Sequence, residues 1–224
     1  MAEKKTLLIL RLEGVLQSWG EMSKWDFRDS ADFPTKSGIV GLMGCALGLE
    51  RGDPKLGELD AALTLAVRAD RPGTRTVDFQ TVTGNPLRNA EGKPKSGGNT
   101  IISRRAYLQD ACFTAFLDLP EDWRKVVAVA LQAPKWPLCL GRKNCVPSRP
   151  VFEAETAEYA SLEEAARLYP AADRAEEPML VELEEPSPAL SAHLRPDRRL
   201  DGGRNFALRR VWRGALKEDR HDSE

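Results

Sequence analysis

Two short segments combine basic side chains with glycine or hydroxyl residues, a combination that suits phosphate binding. Residues 35–38 (TKSG) precede an apolar helical pattern, so free backbone amides, two hydroxyls and an ammonium group would meet at a helix N-terminus. Residues 141–144 (GRKN) lie in a loop rich in Pro and Gly, where the backbone can approach a phosphodiester closely. An ordinary threonine cap with an exposed lysine and a plain surface turn are the simpler interpretations of these segments.

A third basic segment, residues 103–107 (SRRAY), follows a β-rich pattern. Because side chains alternate along a strand, Arg105 and Tyr107 share one face and Arg104 takes the other. Arginine and tyrosine on one face suit phosphate contact and base stacking in single-stranded RNA. An edge strand kept apart from other strands by its charges is the alternative. Trp19, after the first strand, either stacks on a base or caps the core.

Signals for catalysis and for metal binding are weak. The two histidines are His193 and His221, and neither has HxxxH or HExxH spacing. The four cysteines lack a close CxxC pair, which favours free, buried thiols, although a Cys–His pair stays open. No phosphate-loop or dinucleotide motif follows a strand. We therefore predict no metal and no cofactor. A metal-independent ribonuclease using Tyr107 with the neighbouring arginines remains an alternative.

Charge is strongly segregated along the 224-residue chain, although the net charge is only −1. Residues 71–109 carry 7 Lys and Arg against 2 Asp and Glu, and residues 134–150 carry four basic residues and no acid. Residues 151–185 carry 2 basic and 11 acidic residues, and residues 186–217 carry 8 basic and 2 acidic residues. Separate solvated faces would explain single runs, but three basic blocks favour a groove for a polyanion. The acidic segment should face solvent or a basic partner surface.

With 42% apolar and 30% charged residues, the composition is that of a core-forming protein. The longest apolar run, residues 39–49, is too short to cross a bilayer, and no leader peptide is recognised at the N-terminus. We expect a cytoplasmic protein.

Hydrophobic periodicity predicts an α+β fold. The first 150 residues read as strand, helix, strand, hairpin, strand, helix, the opening of a ferredoxin-like βαββαβ unit with a long inserted hairpin. The predicted strands are 6–12, 62–68, 74–83, 100–109 and 111–117, and the predicted helices are 36–49, 54–59 and 120–131. The last helix should bury Trp123, Val126, Val127, Ala130 and Leu131.

The helix over residues 36–49 contains four glycines, Gly38, Gly41, Gly44 and Gly48, at intervals of three and four. Each costs roughly 1 kcal/mol relative to Ala, which a helix tolerates where its backbone lies close to a sheet or a ligand. Residues 13–34 are predicted to form a loop. Residues 151–224 are predicted to form a small second lobe, β-rich, with a helix near 162–168 and strands at 179–183 and 206–212.

Five blocks together resemble the CasD family of type I-E CRISPR Cascade subunits, which belongs to the RAMP superfamily. They occur in family order over residues 6–152, and residue 144 is Asn where the family pattern has Ser. The blocks are residues 12–20 (LEGVLQSWG), 33–42 (FPTKSGIVGL), 78–82 (DFQTV), 100–113 (TIISRRAYLQDACF) and 140–145 (LGRKNC).

The resemblance implies an RRM-like (ferredoxin-like) domain over 1–150, a thumb formed by the hairpin 74–109 and a C-terminal lobe over 151–224. It implies a non-catalytic RNA-binding subunit for antiviral defence that caps the 5′ handle of the CRISPR RNA (crRNA). The partners would be the CasC backbone subunit and the large CasA subunit, with target DNA met only through the complex. Type I-C relatives instead process CRISPR repeat RNA as endoribonucleases, and a plain protein scaffold is a third possibility.

In this interpretation Lys36, Arg142 and Lys143 hold handle phosphates, while Arg105, Tyr107 and Trp19 read bases. The thumb, with a basic tip at Arg88, Lys93 and Lys95, would insert between the handle and the first spacer nucleotides. The residues predicted to contact RNA are Trp19, Lys24, Arg28, Thr35, Lys36, Ser37, Arg75, Gln80, Thr81, Ser103, Arg104, Arg105, Tyr107, Gly141, Arg142, Lys143 and Arg149.

Overall fold

The computed structural model of the chain describes residues 4–21, 26–84, 86–88, 91–94, 100–201 and 205–216. Over these residues the helices are α1 (Lys36–Leu47), α2 (Lys55–Ala62), α3 (Glu121–Gln132) and α4 (Leu162–Leu168). The strands are β1 (Lys5–Glu13), β2 (Leu16–Gln17), β3 (Phe27–Arg28), β4 (Thr64–Arg71), β5 (Thr74–Thr83), β6 (Thr100–Gln109), β7 (Cys112–Asp118), β8 (Phe152–Tyr159), β9 (Leu180–Leu183), β10 (Ser191–Arg199) and β11 (Phe206–Ala215). The predicted α+β class is confirmed.

Seven strands form the main sheet, in the order β10-β11-β9-β4-β7-β1-β8. Every pairing described in this sheet is antiparallel. β1 pairs with β7 and β8 along its two edges, and a hydrophobic cluster covers each of its faces, which explains its continuous apolar run. The strands predicted at 6–12, 62–68 and 111–117 correspond to β1, β4 and β7.

The main sheet buries one hydrophobic cluster on each face, because successive side chains point in opposite directions. Leu8, Leu10 and Leu12 of β1 pack in the cluster that also contains the buried residues of α1, α2 and α3. Leu7 and Ile9 pack on the opposite face, in the cluster covered by α4. Three helices therefore cover one face and one helix covers the other.

Helix α1 begins as its sequence predicts and ends two residues before the predicted end, at Leu47, so that Gly48 caps the helix instead of lying inside it. The Thr35 hydroxyl accepts a hydrogen bond from the Gly38 amide at 3.1 Å, and Gly48 ends the helix in the left-handed region at φ 74°. A Cβ on Gly38 would lie 2.8 Å from the Trp19 ring, and one on Gly44 would lie 2.6 Å from Leu56. These two glycines confirm the expected close approach, whereas a Cβ on Gly41 would meet no atom within 4 Å.

β5 and β6 form the predicted hairpin, and they belong to a second sheet rather than to the main one. β2 pairs antiparallel with the end of β6, and the short β3 pairs parallel with β6 at Arg104 and Arg105. β5 pairs with β6 along its whole length, from Thr74 opposite Gln109 to Thr83 opposite Thr100. Most of β5 is exposed. The segment 13–34, predicted as a loop, thus contributes two short strands to this sheet.

Some predicted elements need correction. Val126 on α3 is 53% exposed, so the buried face is shifted and runs through Val127, Ala128 and Leu131. β8 and β10 were not predicted, because both are edge strands of the main sheet with many polar residues. Pro196 lies within β10, a position that an edge strand tolerates.

The C-terminal residues continue the main sheet instead of building a sheet of their own. β8 pairs with β1, and β9 pairs with β4. Arg68 of β4, fully buried, donates hydrogen bonds to the carbonyls of Ala166, Tyr169 and Pro170 at 2.7 to 3.1 Å. The division at residue 150 therefore stays a prediction about folding units, but the sheet runs across it.

The acidic segment 151–185 is neutralised largely inside the chain. Glu182 on β9 binds Arg195 of β10 at 2.6 Å and Arg213 of the neighbouring strand β11 at 2.6 Å. Other carboxylates of the segment also bind basic groups from elsewhere in the chain: Glu153 binds Arg11 and Arg149, Glu155 binds Arg124, Glu184 binds Lys36 and Arg209, and Glu185 binds Lys5. The expected acidic outer surface is wrong for these residues.

Within the described residues, no helix combines the length and apolar character needed to cross a membrane. The four cysteines are free thiols, of which Cys112 and Cys145 are buried and Cys45 and Cys139 are half-buried. Burial raises the pKa of the Cys112 thiol to about 11.

Candidate RNA-binding surface

The N-terminus of α1, predicted as a phosphate site, is occupied by groups of the chain itself. The Lys36 ammonium is buried, and it donates hydrogen bonds to the Leu63 carbonyl at 2.6 Å and to Glu184 at 2.9 Å. The Lys36 amide donates to the Asp197 carboxylate at 2.8 Å. The predicted role of Lys36 and of the buried Thr35 in binding phosphate is therefore wrong, because a carboxylate already fills the anion position.

Asp197 holds its place through a buried network of arginines. Arg209 binds it at 2.7 Å, and Arg195 lies 3.8 Å away. Burial alone would raise the pKa of Asp197, but the hydrogen bond and charge of Arg209 outweigh it and hold this pKa below its usual value. Ser37 remains half-buried, with its hydroxyl 3.5 Å from that of Thr35.

Trp19 and Tyr107 are core residues in this fold, each 1% exposed, and neither can stack on a base. The Trp19 indole donates to the Gln17 side chain at 3.1 Å. The Arg142 guanidinium lies over the Tyr107 ring, 4.7 Å from its centroid, and the Tyr107 hydroxyl accepts from Asn144 at 3.0 Å. The predicted base-reading role of both aromatic residues is wrong because burial removes their faces.

Arg142 joins three segments of the chain. It donates to the carbonyls of Ala106 at 3.1 Å, Arg28 at 2.9 Å and Asp29 at 3.0 Å. Gly141 is held at φ 92°, and a Cβ there would lie 1.8 Å from the Ser18 carbonyl oxygen. The close backbone approach predicted for this glycine therefore occurs against Ser18 and not against a phosphodiester.

Other predicted contacts are engaged within the chain. Arg75 donates to the Ser30 carbonyl at 2.6 Å and to Asp32 at 2.9 Å. Arg149 binds Glu153 at 2.9 Å, and Gln80 donates to Asp78 at 2.6 Å. Ser103 is 6% exposed and accepts from Arg105 at 3.2 Å. Lys24 and the hairpin-tip residue Lys95 lie outside the described residues.

Arg28, Arg105 and Arg142 group on one side of the hairpin base, and the exposed Lys143 follows Arg142 in the same loop. Arg28 of β3 lies directly opposite Arg105 of β6, so both project from the same face of the sheet. Tyr107, covered by Arg142, lies on this face two residues further along β6, and Lys143 follows Arg142. We call Arg28, Arg105, Arg142 and Lys143 the basic face. Its one acidic strand neighbour is Asp78, opposite Arg105.

The opposite face of the hairpin has a different character. Arg104 and Thr81 project from it, and Arg104 has no side-chain partner among the described residues. Phe27 and Phe79 flank Arg104 on this face and are exposed. The exposure of these two phenylalanines is not predicted from the sequence, although Val77 and Phe79 alternate with polar residues along β5. Within the described residues, no cluster of His, Cys, Asp or Glu is arranged to hold a metal ion.

Comparison with known proteins identifies relatives along almost the whole chain. The protein named CRISPR system Cascade subunit CasD from Escherichia coli (strain K12) is 33% identical over 160 residues, 66% of this chain and 70% of that protein. A solved chain of a CRISPR RNA-guided surveillance complex is 30% identical with a TM-score of 0.75, covering 94% of this chain and 90% of that one. A crystal structure described as Cas protein is 33% identical with a TM-score of 0.71, covering 94% of both chains.

The family model described as CRISPR-associated protein (Cas_Cas5) matches residues 7–216. This match spans the five sequence blocks and extends through β11, and it confirms the resemblance found in the sequence. The chain belongs to the CRISPR-associated Cas5 family.

Proposed function

We propose that the chain is a non-catalytic subunit of a type I-E CRISPR Cascade complex that binds the 5′ handle of the crRNA. The grouping of Arg28, Arg105 and Arg142 on one face at the base of the hairpin, with the exposed Lys143 next to Arg142 in the chain, carries this proposal. Such a face can neutralise several phosphates of one RNA strand. The relative named as a Cascade subunit and the similar chain from an RNA-guided surveillance complex support it.

The fold supports the same proposal. Four strands of the main sheet follow the order β8-β1-β7-β4, all antiparallel, with α1 and α3 as the connecting helices. This strand order supports the proposed ferredoxin-like βαββαβ unit. The β5–β6 hairpin is inserted between the second and third strands of that unit, the place expected for a thumb. In the proposed complex the thumb reaches over the crRNA toward CasC, CasA contacts the same subunit, and target DNA is met only through the assembly.

RNA binding is favoured over RNA cleavage by the position of Tyr107. The ribonuclease alternative needs this phenol at a scissile phosphate, yet the ring is covered by Arg142 and its hydroxyl is bonded to Asn144. His193 lies on β10, in the main sheet and not in the sheet of the hairpin.

Salt-dependent binding of a repeat-derived handle RNA tests the proposal. The triple variant Arg28→Ala/Arg105→Ala/Lys143→Ala removes three cations from the basic face and leaves the structural Arg142 in place. We expect weaker binding and a slope of log affinity against log salt that is shallower by about 0.7 for each lost phosphate contact, or about 2 in total. Cleavage is scored in the same reactions by gel electrophoresis.

A matched control removes three exposed cations elsewhere: Arg51→Ala/Lys55→Ala/Arg210→Ala. The control changes the net charge by the same amount. If general electrostatic attraction alone bound the RNA, both variants would therefore lose equal RNA affinity. The proposal requires the basic-face variant to lose more affinity and more slope. Equal salt slopes for the wild type, the basic-face variant and the control variant would contradict the proposal. Metal-independent cleavage of the repeat RNA would favour the ribonuclease alternative.

A further inference from the structure

Three exposed side chains form a row across the sheet that contains the hairpin. Phe27 of β3 lies directly opposite Arg104 of β6, and Phe79 of β5 lies directly opposite the same Arg104 from the other side. Directly paired residues in neighbouring strands project to the same face. Phe27 is 40% exposed and Phe79 is 57% exposed, and Arg104 is exposed between them.

The surroundings of this row are apolar and carry no negative charge from the hairpin strands. Val77 and Ile102, both 51% exposed, project from the same face of β5 and β6. Neither strand places an Asp or Glu on this face, since the single acid of the two strands, Asp78, alternates to the other side. We call Phe27, Val77, Phe79, Ile102 and Arg104 the aromatic face.

Large exposed apolar side chains gathered on one surface mark a contact with something else. Two phenylalanines on the exposed face of this sheet add little to the stability of the fold, because much of their apolar area stays in contact with solvent. Arg104 between the rings favours an occupant with negative charge. The hairpin strands place no acid on this face, and the exposed Asp32 beside it is paired with Arg75 at 2.9 Å.

Single-stranded RNA fits this chemistry. Proteins bind unpaired bases by stacking them on aromatic rings and on arginine planes, while cations meet the phosphates. Neighbouring strands are about 4.8 Å apart, so Phe27 and Phe79 stand roughly 10 Å apart with the guanidinium between them. This spacing suits two unstacked bases, one on each ring, with the linking backbone over Arg104.

β3 connects this face to the basic face. Phe27 and Arg28 are consecutive residues of one strand, so one side chain points to each side. An RNA strand that passes the β3 edge can place phosphates near Arg28 and bases near Phe27.

We propose that Phe27, Arg104 and Phe79 form a stacking platform for bases of single-stranded RNA, an inference that rests on the proposed RNA-binding function. The platform recognises the flat faces of bases and not their edges. Phe27 and Phe79 therefore contribute affinity that depends on the presence of bases and is independent of salt, whereas the basic face contributes affinity that depends on phosphates.

The test compares two probes on the full chain: a short oligoadenylate and an abasic ribose-phosphate oligomer of equal length. We expect Phe79→Ala to weaken oligoadenylate binding about 5- to 100-fold and to leave abasic binding and the salt slope unchanged. Phe27→Ala should act in the same way, and Phe79→Trp should restore binding. Arg104→Gln should weaken binding of both probes and lower the slope by about 0.7.

Val77→Ala is the matched control, because it removes exposed apolar surface from the same face without removing a ring. The platform is overturned if Phe79→Ala leaves oligoadenylate binding unchanged, if it weakens both probes equally, or if Val77→Ala has the same effect as Phe79→Ala. The last result would show that exposed apolar area, and not stacking on rings, supports the binding. Failure of the wild-type chain to bind the handle RNA would refute the proposed function itself, whereas handle binding without any oligoadenylate binding would refute the platform alone. Normal binding with unchanged Phe variants would refute the platform alone.

Discussion

Replacing Lys36 with methionine tests whether this residue serves the fold or the ligand. In the structure, the Lys36 side chain is 6% exposed, its ammonium group links the Leu63 carbonyl to Glu184, and its amide links α1 to Asp197. Lys36→Met removes the first two hydrogen bonds and leaves the Glu184 carboxylate, 13% exposed, without its nearest cation. Breaking a buried ion pair from one side costs about 3 to 5 kcal/mol.

The loss at this position should be somewhat smaller than that range, because Glu184 keeps other partners. It still accepts from the Leu65 amide at 2.6 Å and lies 3.5 Å from Arg209. We therefore expect Lys36→Met to lower the free energy of unfolding by about 2 to 4 kcal/mol. For a chain of this size each kcal/mol shifts Tm by roughly 2 to 4 °C, so Tm should fall by about 5 to 15 °C.

Thermal and urea unfolding measure this loss, and handle-RNA titrations on the folded variant measure ligand binding. We expect unchanged RNA affinity and an unchanged salt slope below the new Tm. The double variant Lys36→Met/Glu184→Gln should recover part of the stability, because it removes the uncompensated charge. A normal Tm together with weaker RNA binding and a slope reduced by about 0.7 would refute the structural role and restore the phosphate-binding hypothesis.

Two further predictions follow from the same network and from the glycines. Asp197→Asn should lower stability by about 3 kcal/mol at neutral pH, since Arg209 loses a buried partner. The folded-state pKa of Asp197 lies below its usual value. In urea unfolding at a series of pH values, the stability difference between the wild type and Asp197→Asn should therefore persist above about pH 4 and vanish as the pH falls through the folded-state pKa. A constant stability difference down to about pH 2 would contradict this expectation. Gly41→Ala should raise stability by up to about 1 kcal/mol because its Cβ meets open space, whereas Gly141→Ala should lower it because its Cβ collides with Ser18; Tm shifts of equal sign for the two variants would contradict the assignment.

Short sequence patterns correctly predicted those helices and strands whose formation depends on neighbouring residues. The apolar run of β1, the Thr35 cap of α1 and the alternation in β5 and β6 each contain their own signal. The same is true of the Pro120 start of α3. The resemblance in five blocks led to the correct family, and two of those blocks pack against each other where Gly38 meets the Trp19 ring.

The candidate site was less predictable, because long-range partners decide which charges remain available. The anion at the N-terminus of α1 comes from Asp197, 161 residues further along the chain, and Glu184, which binds the Lys36 ammonium, lies 148 residues away. The chemistry inferred for this helix end was correct in kind, since it does bind a carboxylate. Nothing near Lys36 in the sequence indicates that the chain supplies this carboxylate itself.

The edge strands and the exposed aromatic residues escaped prediction for a related reason. β8 and β10 contain many charged residues because their outer sides face no further strand. In the hairpin, alternation correctly separated Arg104 from Arg105, yet it could not show that Tyr107 would be covered by a loop from residues 141–144 while Phe79 stayed open.

Because β9 lies between β4 and β11, the main sheet cannot be completed during synthesis until the C-terminal strands have been translated. β4 obtains its second neighbour only after residues 180–183 have been translated, more than a hundred residues later, and β11 completes that edge later still. Until then the nascent chain carries an open edge on β4 and a Lys36 ammonium whose carboxylate partner, Glu184, does not yet exist. Ribosome-bound intermediates should therefore be sensitive to proteases and dependent on chaperones until the last strands emerge.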